Sequence, residues 1–310
     1  MAAALGALFP SPFLAVLMIT ELCSNLPKTY METTIITTIP AMVSFAVFYT
    51  VGDMAYLPPL EPNYRLSEAW EFELIHCFYG FIIGIISGVL CLIQLIAVGV
   101  CKQMFIRLRT RCDSTRILSG TIIAPTVGGL IIGLIYWTLP MTVGDGNLVS
   151  GKIIGFSAMG NPLDDTLLVR CAFAKMFCLA ISMNCGMIGG FIFPMLTVGI
   201  MFAAVAFSRY PDIPILLFVS CFIVGLPSGI CPMPFTLLCL PVTLFFVGLE
   251  QTAPVFVCAI TSYMVVCGSG LFAAIASRGI KKGVSQAEDS HDYDALGKKE
   301  KERLEAREFS

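Results

Sequence analysis

Long apolar runs separated by short polar breaks fill most of the chain, with about nine such segments near residues 2–20, 34–57, 72–101, 117–139, 166–184, 190–208, 213–231, 234–249 and 253–278. A bilayer core about 30 Å thick is crossed by about 20 apolar residues in helical form. The pattern therefore predicts an all-α, polytopic transmembrane helical bundle whose first partner is the lipid bilayer. The segment at 72–101 is too long for a perpendicular span and should tilt or continue past the interface. The segment at 234–249 is short and holds Pro241. Short segments interrupted by glycine or proline point to discontinuous helices around a transport site.

Composition strengthens this picture and excludes others. Hydrophobic residues make up 57% and charged residues 13% of the 310, with a mean hydropathy of +0.85, far from a water-soluble balance. Most of the 13 cysteines lie inside apolar runs and none forms a CxxC pair, so they read as small packing residues. With only His76 and His291 present, a histidine-based metal or catalytic site has little to draw on. No nucleophile with a base and no GxxxxGK[ST] loop is present, so neither an enzyme nor a cofactor is expected. The apolar N-terminus lacks a basic leader and is interrupted by Pro10 and Pro12, which favours a membrane segment over a signal peptide.

Charge sets the orientation. Lys102, Arg107, Arg109, Arg111 and Arg116 face a single acid, Asp113, between the third and fourth segments, and a basic connection of this kind stays cytoplasmic. A phosphate or lipid site is the other reading of the same cluster. Glu61, Glu68, Glu71 and Glu73 against Arg65 place the preceding connection on the opposite face. Residues 1–280 form the expected membrane domain. Residues 281–310 form a charged cytoplasmic tail, disordered to about Leu296 and helical beyond, where opposite charges recur at i,i+4.

Two strings echo each other: Phe9-Pro10-Ser11-Pro12-Phe13 near the start and Cys231-Pro232-Met233-Pro234-Phe235 near the end. They are either a chance pair in a proline-rich chain or the trace of an internal repeat, the usual architecture of transporters. In the second case the first repeat lacks its beginning.

Residues 185–199 carry the most chemistry. Gly189 and Gly190 lie between two apolar stretches, ahead of Phe191, Ile192, Phe193 and Pro194. A pair of glycines there can break one helix and start the next inside the bilayer. A fresh helix start leaves about four N–H groups without partners and about half a positive charge, a cradle for an anion that needs no basic side chain. The other reading is that the glycines only let helices pack closely.

Gly190-Phe191-Ile192-Phe193-Pro194 resembles the GxFxP loop of the CLC family of voltage-gated chloride channels and chloride/proton exchangers. Leu139-Pro140-Met141-Thr142-Val143-Gly144-Asp145-Gly146 is similar to the glycine-containing loop that precedes the same helices. Lys175 matches a basic position, and residues 5–21 resemble the helix and acidic turn that close the family's first repeat. The matches run colinearly over roughly residues 3 to 280.

The resemblance implies CLC-like inverted repeats with broken and tilted helices and a homodimer. It also implies an anion site for chloride or a similar ion, formed by Gly189, Gly190 and the N–H groups of Phe191 and Ile192. Phe272 falls where the family often has a tyrosine that donates to the anion, which a phenyl ring cannot do. Leu22 falls on the proton-relay glutamate and Glu21 one place before it. The resemblance therefore implies passive anion movement, with Glu21 capping or orienting the turn rather than carrying protons. The family's GSGxP and GxEGP loops have no counterpart in the 310 residues. The expectation is thus an incomplete first repeat, in a channel or in a non-conducting derivative that assembles with a full-length relative.

Overall fold

The structure is a computed structural model. It describes residues 2–8, 11–22, 30–52, 71–115, 120–144, 146–158, 160, 163–187, 189–231, 233–245 and 247–270. Among these the secondary structure is helical, with no strand. Eleven α-helices follow in order: α1 (Ala2–Leu8), α2 (Pro12–Leu22), α3 (Tyr30–Gly52), α4 (Ile75–Thr115), α5 (Gly120–Thr138), α6 (Asn147–Ala158), α7 (Asp165–Cys185), α8 (Ile192–Arg209), α9 (Ile215–Ser228), α10 (Pro234–Phe245) and α11 (Thr252–Gly268). A 3₁₀ turn, Pro140–Thr142, precedes α6. The chain divides into one unit over Met1–Val265 and another over Val266–Ser310, of which residues 266–270 are described. The helical tail expected after Leu296 and Phe272 both lie outside the described residues.

Most apolar segments become helices with shifted ends, and two expectations need correction. The first segment is two helices, because a proline at the start of α2 suits an N-terminal position and not a helix interior. The basic connection after the third segment is not a loop. Lys102, Arg107, Arg109 and Arg111 all lie on α4, which contains no proline and runs for 41 residues. At 1.5 Å per residue it is about 60 Å long, twice the hydrocarbon thickness, so its basic end projects beyond the apolar core. At its other end the Glu73 N–H donates to His76 Nδ1 at 2.9 Å, holding the chain where the helix begins.

Among the described residues three helices are long and apolar enough to cross a membrane: α4 over Ile75–Cys112, α7 and α8. The shorter ones pack between and around them. The main core draws on α2, α6, α7, α8, α9 and α10, where every residue of α9 is buried. A smaller cluster of Cys101, Phe105, Ala124, Ala180, Ile181 and Cys185 joins α4, α5 and α7. By contrast, α3 turns Ile35, Ile39, Val43 and Val47 outward at four-residue spacing, a face that only lipid or another apolar surface would cover.

Small residues set how closely helices approach. Gly80, Gly84 and Gly88 recur every fourth residue on α4, and a Cβ on any of them would run into Pro254, Cys258 or Val265 of α11. Without a hydrophobic driving force inside lipid, such close backbone approach and its dispersion contacts are what hold helices together. Ser262 Oγ donates to Gly225 O at 2.6 Å and ties α11 to α9.

The echo in the sequence has a structural counterpart. Both PxPF strings start a helix at their second proline, α2 at Pro12 and α10 at Pro234. Each is preceded by an apolar helix, α1 or α9, and followed by a longer one, α3 or α11. Each PxPF string thus marks the middle helix of three, in the same order.

Candidate functional site

The candidate site is the turn between α7 and α8. Asp164 opens α7, its carboxylate accepting from Thr166 N–H at 3.4 Å and Leu167 N–H at 3.3 Å. After 21 residues the helix stops at Gly186, which takes a left-handed conformation at φ 108° and fits the glycine preference for closing helices. Arg209 at the end of α8 pairs with Asp165 at the start of α7 at 2.9 Å, so the two helices run antiparallel.

Helix α8 begins at Ile192, two residues past Gly190. Phe191 sits at the cap with φ −99° and ψ −17°, and its own side chain makes no capping hydrogen bond. Pro194 is its third residue, where its missing N–H costs little. The helix start expected from the glycine pair is therefore present at Phe191 and Ile192. Both side chains are partly buried against the main core, which anchors the backbone there.

The glycines themselves do not pack helices together. Gly189 and Gly190 are exposed, and a Cβ on either would meet nothing within 4 Å. They leave room beside the helix start. Gly199, two turns into α8, does the packing instead, pressing α8 against the backbone of Phe222 and Ile223 in α9.

Two basic side chains brace this region. Lys175 of α7 is buried and donates to Gly144 O at 2.9 Å and Thr142 O at 3.2 Å. It pins the glycine-containing loop before α6, where Gly146 at φ 92° presses so closely on Thr197 of α8 that a side chain would overlap it. The sequence singled out this loop and Lys175 separately; the structure joins them. Arg109 of α4 donates through Nη2 to Cys185 O at 3.1 Å and Asn184 O at 3.5 Å, the last carbonyls of α7. Asn184 in turn donates to Val98 O of α4 at 3.2 Å. Sequence reasoning counted Arg109 only as a topological charge. Its reach back along α4 to a glycine-terminated helix end is the signal that was missed.

Glu21 lies elsewhere, at the end of α2. Its carboxylate accepts from the N–H groups of Phe235 and Thr236, each at 2.9 Å, and from the Thr236 hydroxyl. Those residues are the second and third of α10, so a carboxylate 214 positions away in sequence caps the helix that starts the second PxPF echo. Nothing in the local sequence announces this pairing, because helix caps ordinarily come from the adjacent residue. Among the described residues no group of three or more His, Cys, Asp or Glu gathers as a metal site would require.

The family model for voltage gated chloride channels matches residues 1–267. The chain belongs to that family. Its members are anion transporters and channels of the membrane. Comparison with curated proteins gives no match.

Proposed function

We propose that this chain moves chloride or a similar small anion passively across a membrane, with the anion held at the start of α8 by the backbone N–H groups of Phe191 and Ile192. The observation that carries the reading is the helix start itself: α8 begins at Ile192 with no side-chain cap, beside two exposed glycines. A helix N-terminus without an internal acceptor favours an anion through its aligned N–H groups and the positive end of its dipole. Open space at Gly189 and Gly190 lets an ion come close to backbone.

Passive movement is supported by Glu21. Both of its oxygens are taken up as hydrogen-bond acceptors at the α10 cap, which gives the carboxylate a structural task and not that of a proton relay. The protein acts as a homodimer or together with a relative of the same family, with residues 281–310 on the cytoplasmic side. The test is chloride efflux from liposomes holding the purified chain, with and without a pH gradient. Efflux above empty vesicles and indifferent to the gradient is expected; efflux that drives protons would overturn the passive reading.

A further inference from the structure

Arg109 is placed to do more than close a helix. It extends from the basic end of α4, yet its guanidinium turns inward to the α7 terminus and lies 3.1 Å from where a side chain on Gly186 would begin. Its Nε is buried and has no hydrogen-bond partner among the described residues. A guanidinium presents five donors in a fixed fork and stays charged at any physiological pH. Here one branch of the fork is engaged by the Cys185 and Asn184 carbonyls, while the Nε–H remains unused in a buried place. A buried donor left without an acceptor is costly enough to ask what it serves.

From Gly186 the chain needs only five residues to reach Phe191, at most about 18 Å even if fully extended. The positive charge and the α8 start therefore share one short turn. Across such a distance at a partly buried site, one unit charge changes the local concentration of a monovalent anion by several-fold.

We infer that Arg109 is a positioning residue for anion entry: it fixes the turn over residues 186–191 from which α8 starts, and its charge draws the anion toward that turn. The inference rests on the proposed anion site and adds a residue that neither the glycine-rich motif nor the resemblance supplies. Lys102 and Arg107, exposed on the same helix, add to the field but do not touch the turn.

Two measurements on the full chain in lipid test it, and they fail separately. In proteoliposomes, Arg109→Gln should raise the half-saturating chloride concentration about five- to tenfold, with a smaller effect on the maximal rate. Arg109→Lys keeps the charge without the fork and should fall between that variant and the wild type. In lipid nanodiscs, hydrogen–deuterium exchange of the amides in residues 186–196 should quicken in Arg109→Gln, while residues 215–228 of α9 exchange as in the wild type and report an intact fold. Unchanged half-saturation in a conducting Arg109→Gln variant would overturn the role in anion entry. Unchanged exchange over 186–196 would overturn the hold on the turn. A wild-type chain that carries no chloride would sink the conduction reading instead, and the exchange comparison would still decide whether Arg109 fixes the turn.

Discussion

At Gly190 the structure separates folding from function. Nothing stands within 4 Å of a Cβ built there, so a side chain has space in the folded protein. It would also occupy the room beside the α8 start that an anion needs. Gly190→Val should therefore leave the melting temperature of the purified protein within a few degrees of the wild type and abolish chloride flux. A loss of fold with no flux, or a normal fold with unchanged flux, would each speak against the assignment. Glu21 predicts the reverse. Glu21→Ala removes an acceptor from two helix-start N–H groups and a hydroxyl, contacts that together are worth about 1–3 kcal/mol. Chemical denaturation should show that loss, whereas flux in the folded fraction should remain independent of a pH gradient.

Among the helices, glycine positions decide which contacts are indispensable. Gly84 of α4 sits so close to Cys258 and Thr261 of α11 that Gly84→Leu would force the two apart, an overpacking expected to cost about 1–3 kcal/mol and to lower the melting temperature measurably. Lys175→Met should have a comparable cost for a different reason. It leaves the Thr142 and Gly144 carbonyls without their donor and frees the loop that rests on Thr197. Faster exchange of the amides around residues 142–150 would reveal it.

The elements themselves were legible to different degrees. Apolar length located α3, α5, α7, α8, α9, α10 and α11, and the glycine pair located the α7–α8 break to within two residues. Helix α6 escaped, because Asn147–Ala158 mixes glycine, serine and Lys152 and carries no long apolar run. The end of α4 escaped for the opposite reason. Its basic residues resemble a solvated loop, but long charged side chains are good helix formers and nothing stops the helix before Thr115.

For the molecule as a whole, sequence alone reached the family and the bundle, since both rest on local pattern. It did not reach the long-range contacts that assemble the bundle. Glu21 with α10, Arg109 with the α7 terminus and Lys175 with the loop before α6 each join residues at least 31 positions apart, and a single polar side chain carries no local sign of so distant a partner. These three contacts share a design. Each places a charged group on the free carbonyls or N–H groups of a helix end or turn, which is how irregular backbone is made tolerable in an apolar surround. The start of α8 differs in that its capping residue, Phe191, makes no side-chain hydrogen bond to it.

That difference is the centre of the functional account, and chloride efflux tests it most directly. Liposomes loaded with potassium chloride and holding the purified chain should release chloride on addition of a potassium ionophore, faster than empty vesicles, and Gly190→Val should abolish the release. Release no faster than from empty vesicles, with the wild-type chain shown to be folded, would contradict it.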